Sequence, residues 1–382
     1  MEGIRVQETA LPGGRMALAS AIWSTLEFAG AFTDLLVHEG QPIRMKSAKG
    51  LVRLDQMSLP NGDLIVSAEH IKQFFATVVD ELEPGESASN HWERVVRPVF
   101  DRKQALSRSL KTPQNIYLRF SLFQHDRGKL AMVMRVSRPP GPMANLGLHA
   151  QIQERIRSNP RGLLLITGPT ASGKTATALS ILDWLNHNHS GHIATVEDPI
   201  EYPLQEAGCV FTQREVGVDV GSFGEGLRDA LRHAPDAILA GEVRDRDTAE
   251  AAILGGESGA LMIVTTHGRS IVGTLRKILA LTGEQAPAMR AVLAGCLVGA
   301  MRQELLPHKD GGGYSMVHDT LLASDNVRVL IERGDWAALE KLTSEQQPSV
   351  SFSPMRAAVS NLVTQQKIDF RTAEMASSLG GR

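Results

Sequence analysis

The chain has 382 residues, 42% apolar and 21% charged, enough apolar surface for two or three domains and too much for a disordered chain. Forty Lys and Arg against 42 Asp and Glu leave a formal net charge of −2, which excludes a global pull toward nucleic acid or an anionic membrane. Two cysteines, Cys209 and Cys296, exclude a disulfide framework and a zinc site of cysteine alone, and fit a reducing compartment.

No secretory leader is evident at the start of the chain. The longest uncharged apolar run, 291–301, has 11 residues, well short of the roughly 20 that a spanning helix needs, and is expected as a buried helix. The expectation is a cytoplasmic protein that meets a membrane only through protein partners.

Residues 16–32 form an apolar, helix-compatible run, expected as part of a helical extension over 1–33. From 34 to 138 strand and helix signals mix. Residues 34–38 and 116–123 read as strands, and 67–83 as a helix capped by Ser67 with Glu69 in its first turn. The cluster Pro139-Pro140-Gly141-Pro142 continues neither a helix nor a central strand, so a linker is placed over 139–148. Strand and helix then alternate. Strands are expected at 162–167, 192–197, 236–240 and 260–266, and helices at 174–188, 223–233, 245–255, 270–281 and 286–303. This predicts an α/β domain with a mainly parallel sheet over 149–335, followed by a polar helical tail over 336–382.

Gly168-Pro169-Thr170-Ala171-Ser172-Gly173-Lys174-Thr175 fits G-x-x-x-x-G-K-[ST] between a predicted strand and a predicted helix. In such a loop backbone N–H groups wrap phosphates, and the helix N-terminus adds partial positive charge. Lys174 is expected to reach the β- and γ-phosphates of ATP, and Thr175 to hold Mg²⁺ through its hydroxyl. Three strand ends follow. Glu197-Asp198-Pro199-Ile200-Glu201 places three carboxylates where open α/β sheets bind ligands, with Glu197 expected to polarise water or to order a residue that does. Asp236 to Glu242 is an apolar strand delivering an acid, the pattern that sets a carboxylate beside Mg²⁺ and the attacking water. His267, after Thr265-Thr266, could sense the γ-phosphate or contact a neighbouring subunit. Arg119, Arg127 and Arg135 lie on or beside the strands around Phe120 and Met132, and taken alone fit a solvated face.

Together with Gln213-Arg214-Glu215-Val216, the segment 227–232 and Pro235 to Asp245, these motifs resemble the secretion-traffic ATPases. That family drives type II secretion, type IV pili and type IV secretion. The resemblance spans about residues 34–335 and is strongest over 162–267. It implies a RecA-like P-loop ATPase domain preceded by a smaller α+β, PAS-like N-terminal domain over 34–138. It also implies a homohexameric ring with ATP bound between the domains, and gives Arg119, Arg127 and Arg135 the role of approaching the phosphates. The partners implied are membrane-embedded secretion or pilus components, reached peripherally at the inner membrane. The short two-domain members fit best: the pilus-retraction ATPase and the ATPase of type IVB secretion and IncI-type conjugation. A tetracysteine zinc insert, usual in the pilus-assembly and type II members, is absent.

The departures are specific. The family's first His-box histidine is replaced by Ala260, leaving His267 alone. Ala171 stands where the family usually has Gly, and is tolerated only if that position needs no positive φ. The C-terminal signature of retraction motors is missing. These differences favour a motor of type IV secretion or conjugative transfer, with pilus retraction as the alternative. A nucleotide-binding subunit without turnover is a third reading. Nucleic acid is not expected as a partner, since the charge balance and 5% aromatic content offer neither a basic stripe nor a stacking platform.

Overall fold

The computed structural model describes residues 17–28, 32–47, 50–57, 63–75, 87–111, 116–311, 313–344 and 349–379. Contacts divide the chain into two units, 1–139 with 310–313, and 140–309 with 314–382. Among the described residues no helix is long and apolar enough to cross a membrane.

The first unit holds α1 (Ala17–Phe28), β1 (Phe32–His38), β2 (Arg44–Ser47), β3 (Gly50–Arg53), α2 (Ala68–Phe74) and α3 (Ala88–His91). After a wider turn come α4 (Arg97–Asp101), β4 (Leu106–Lys111), β5 (Tyr117–His125) and β6 (Lys129–Ser137). The six strands form one antiparallel sheet, ordered β3-β2-β1-β6-β5-β4. Leu118, Phe120 and Leu122 of β5 are buried while Tyr117, Arg119 and Ser121 between them are not, the period-2 pattern of a half-covered strand. Leu18, Ile22 and Leu26 of α1 enter the same core, at the i, i+4 spacing of one helical face. Ser67 caps α2 as expected: its hydroxyl accepts the His70 N–H, and His70 Nδ1 accepts the Ser67 N–H, both at 3.2 Å. Residues 76–83 of the predicted helix lie outside the described residues.

The second unit opens with α5 (Ala150–Ser158), β7 (Gly162–Gly168), α6 (Lys174–Asn188), β8 (Gly191–Glu197), β9 (Cys209–Glu215) and α7 (Phe223–Arg232). It continues with β10 (Ala237–Ala240), α8 (Arg246–Glu257), β11 (Leu261–His267), α9 (Ile271–Leu281), α10 (Ala286–Cys296), β12 (Leu297–Pro307) and β13 (Tyr314–Leu322). The end is α11 (Asp325–Arg333), α12 (Trp336–Thr343), β14 (Phe352–Ser353), α13 (Arg356–Thr364) and α14 (Phe370–Leu379). The sheet order is β14-β13-β12-β7-β11-β10-β8-β9, parallel from β12 to β9. Every residue of β7 and β10 is buried, as expected for strands covered on both faces. The C-terminal ends of β7, β11, β10 and β8 therefore share one edge, where ligands bind in such sheets.

Two expectations change. The helix expected over 286–303 stops at Cys296, and Leu297 begins a strand between β7 and β13. A strand buried on both faces reads as an unbroken apolar run, which periodicity cannot separate from a buried helix. Arg328 of α11 fixes the break by donating to the carbonyls of Ala294, Gly295 and Leu297. The tail, in turn, is not only helical. It adds β14 to the sheet edge, and α13 and α14 pack Val359, Ile368 and Ala373 against Leu306 and Val317 of the β12–β13 hairpin.

Candidate active site

Gly168 ends β7 at φ +153°, and Gly173 caps α6 at φ +83°. A Cβ at Gly168 would stand 2.4 Å from the Gln303 carbonyl oxygen, and one at Gly173 would stand 2.9 Å from Gln303 Nε2. Both positions admit only glycine. Ala171 is a correction: it takes φ +62°, the left-handed conformation that its Cβ disfavours. Pro169, Thr170 and Ala171 form the exposed rim of the loop, while Ser172 is buried with its Oγ unpartnered.

Lys174 is only 8% exposed, and its ammonium donates to the carbonyls of Gly168 at 3.1 Å and Pro169 at 2.8 Å. Burial pushes its pKa below the ordinary lysine value, against the opposing pull of Glu242 and Glu201. Thr175 follows, half-buried in the first turn of α6.

Glu242 lies just past β10. It accepts from Arg244 Nη2 at 2.5 Å, and His267 Nε2 stands 3.6 Å from its other oxygen. Burial alone would raise its pKa. The Arg244 bond and charge, with His267 and Lys174, outweigh that and hold it below the usual carboxylate range. His267 ends β11 directly opposite Gly168 in register. Thr265 and Thr266 hold the Glu242 segment, donating to the carbonyls of Gly241 and Val243. Asp236 sits at the other end of β10, accepting the His192 N–H at 2.8 Å.

Glu197 is the last residue of β8. β8 lies three strand spacings from β7, about 14 Å. At 2% exposure Glu197 accepts from Thr195 Oγ1 at 2.7 Å, Gln213 Nε2 at 3.2 Å and the Glu201 N–H at 3.4 Å. Burial pushes its pKa up to about 6 despite those bonds. Its oxygens order Thr195, Gln213 and the Glu201 backbone, while the charges of Glu242 and Glu201 oppose the effect of burial on Lys174. Gln303 gains a place that the motifs did not give it, since it lay inside the segment expected as a helix.

Arg119, Arg127 and Arg135 belong to the first unit. Arg119 on β5 and Arg135 on β6 are register partners, and Arg135 Nε donates to Asp34 at 3.0 Å. Arg127 sits exposed in the β5–β6 turn at φ +63°, beyond His125, which is itself about 20 Å along the strand from Arg119. The three line one hairpin but do not form one cluster.

The site fits a nucleotide's phosphates: a glycine cradle that a Cβ would fill, a buried lysine and an orphaned buried hydroxyl. Among the described residues no group of three or more His, Cys, Asp or Glu could hold a metal by itself. Mg²⁺ would therefore rely on Thr175 and on phosphate oxygens, its usual company in such loops.

Residues 109–369 match the family described as "Type II/IV secretion system protein". The chain is 36% identical over 224 residues to the type IV pilus retraction ATPase PilT of Pseudomonas aeruginosa, covering 58% of this chain and 64% of that one. It is 31% identical over 272 residues to a twitching motility protein of Neisseria gonorrhoeae, covering 70% and 72%. The match thus spans less than two thirds of the Pseudomonas protein. Among solved structures, the pilus retraction motor PilT with bound ADP aligns with TM-score 0.73 at 27% identity, over 95% of this chain and 96% of that one. The ATPase DotB of Legionella pneumophila aligns with TM-score 0.74 at 19% identity, over 95% and 94%, a likeness of fold alone. The second unit has the RecA-like ATPase fold expected from the sequence.

Proposed function

Because the chain belongs to the type II/IV secretion system protein family, we propose that it is an ATP-hydrolysing motor energising a type IV secretion or conjugative transfer apparatus. It works as a homohexamer at the cytoplasmic face of the inner membrane, and membrane-embedded components of the apparatus are its partners. One observation carries the motor reading: a buried Lys174 held in a glycine-cradled loop, at the sheet edge where β10 and β11 deliver the Glu242–His267 pair.

Each residue then has a task. The backbone of Gly168 to Gly173 wraps the phosphates. Lys174 stabilises charge on the transferred phosphoryl group, in a site dry enough for that charge to count. Glu242 and Glu197 organise the attacking water, Glu197 by ordering the Glu201 segment through the Glu201 N–H. His267, 3.6 Å from Glu242, senses the γ-phosphate. Mg²⁺, held by Thr175, supplies charge neutralisation when bound. Arg119, Arg127 and Arg135 of a PAS-like first unit approach the phosphates as arginine fingers. Movement between the units is the useful output.

Ala260 in the His box and the missing retraction signature favour secretion or conjugation. The 36% identity to a pilus retraction ATPase favours the alternative, retraction of a type IV pilus. Steady-state phosphate release by wild type and Glu242→Gln, with mass measured with and without nucleotide, tests the motor. Turnover lost in the variant, with a six-subunit mass in both, supports it. A monomer that binds ATP without turnover supports a regulatory subunit instead. A deletion strain that loses conjugative or secretory transfer but keeps twitching supports the first system, and the reverse supports pilus retraction.

A further inference from the structure

β12 runs beside β7 only as far as Arg302, opposite Thr167. The next residue, Gln303, passes the end of β7 and lies against the phosphate loop, fully buried. Both ends of its amide are engaged there. Nε2 donates to the Ser172 carbonyl at 2.6 Å, and Oε1 accepts from Thr177 Oγ1 at 2.8 Å. Ser172 and Thr177 bracket Lys174 and Thr175. The Gln303 carbonyl meanwhile closes the space beside Gly168. One residue thus touches the loop at its start, at its end and in the first turn of α6.

Its neighbours on β12 point the other way, because side chains alternate along a strand. Arg302, 3% exposed, donates to Asp319 Oδ2 at 2.9 Å, to Glu304 Oε1 at 2.5 Å and to Met355 Sδ at 3.4 Å. The other oxygen of Asp319 accepts the Met355 N–H at 2.8 Å. Met355 is the residue before α13, and its side chain joins the core that seats α13 and α14.

We propose that Gln303 is a positioning residue for the phosphate loop, and that β12 ties the loop's geometry to the C-terminal helices through Arg302, Asp319 and Met355. The proposal rests on the nucleotide-binding half of the function above and not on turnover. The chemistry demands an amide: at this length no other uncharged side chain both donates and accepts. Leucine would leave the Ser172 carbonyl without this donor and the Thr177 hydroxyl with only the Met316 sulfur, 3.3 Å away, and glutamate would set a carboxylate against the Ser172 carbonyl.

The test is titration calorimetry of Mg·ATP into the full chain, with KM, kcat and the thermal midpoint alongside. Gln303→Leu should weaken affinity roughly tenfold, and Thr177→Val, which removes one of the two bonds, roughly threefold. The double variant should be no weaker than Gln303→Leu alone, since both act through one contact. Gln303→Glu should fall with Gln303→Leu. Asp319→Asn, remote from the loop, should shift affinity in the same direction. Wild-type affinity in Gln303→Leu, with only the thermal midpoint lowered, overturns the positioning role. Wild-type affinity in Asp319→Asn overturns the link to the tail. Where Gln303→Leu fails to fold, Thr177→Val decides. A wild type that binds without turnover defeats the motor reading while the affinity series still decides this one. A wild type that does not bind defeats both.

Discussion

The edge of the parallel sheet and the β5–β6 hairpin both present charged residues, but in opposite ways. At the sheet edge, Lys174, Glu242, Glu201 and His267 come from four separate segments and act on one another's charge. On the hairpin, Arg119, Arg127 and Arg135 come from one continuous piece of chain and spread along it, with Arg127 alone in its turn. Parallel strands place their C-terminal ends side by side, so distant segments meet at a point. An antiparallel hairpin places its residues along a line. The first arrangement gathers charge at a point, and the second spreads it along two strands.

The sharpest break in that contrast would come from Lys174→Ala. Its kcat/KM for ATP should drop by about a thousandfold or more, because the variant loses a cation in a poorly solvated cleft. Near-normal phosphate release would remove the sheet edge from the chemistry. Next, Glu242→Gln should lower kcat about a hundredfold and Glu197→Gln, which acts through its neighbours, about tenfold or less. The reverse order would return the water to Glu197. For the hairpin, Arg127→Ala should cut kcat about tenfold and leave ATP affinity unchanged, with Arg119→Ala acting independently of it. Equal loss of binding and turnover would make Arg127 a structural residue.

Stability supplies the smaller effects. A carboxyl whose pKa is raised by folding favours its protonated form in the native state. Glu197 therefore contributes most below its unfolded value near 4.5, and that contribution is lost as pH rises through about 6. Relative to wild type, Glu197→Gln, which cannot ionise but sets an amide N–H against a donor, should be about 2 kcal/mol more stable at pH 8 than it is at pH 4.5. That relative gain should shrink as denaturant melts are repeated from pH 6 toward 4.5, and a difference independent of pH would contradict the burial argument. Last, Ala171→Gly should gain about 0.5 kcal/mol, the left-handed strain relieved less the extra entropy of glycine. A loss on that substitution would mean the loop does not hold φ +62°.

The phosphate loop was legible because its residues are dictated by backbone geometry, and geometry of that kind leaves glycines at fixed spacing. Glu197 and Glu201 show the opposite case. One ends β8 and the other lies four residues on, and what holds the Glu197 carboxylate in place is Thr195 and Gln213, neither of which marks itself in the pattern. Ala171 is a third kind. Sequence says correctly that Ala resists positive φ. The loop imposes it because the Gln303 contacts beside Gly168 and Gly173 leave little room to relax on either side. β12 was lost because its two buried faces erase the alternation that would have announced a strand.

That alternation has a consequence for how the chain can vary. Along β12, Gln303 serves the phosphate loop, and Arg302 and Glu304 serve the tail. Substitutions test these contacts one at a time. A residue inserted between Gly299 and Arg302 turns a guanidinium toward the glycine cradle, whereas a deletion turns a carboxylate there and an amide toward Asp319. The register already shifts once, between Leu297 and Gly299, so the length beyond that point is under stricter constraint than any one side chain. Descendants of this sequence can trade residues in β12 more easily than they can lengthen or shorten it.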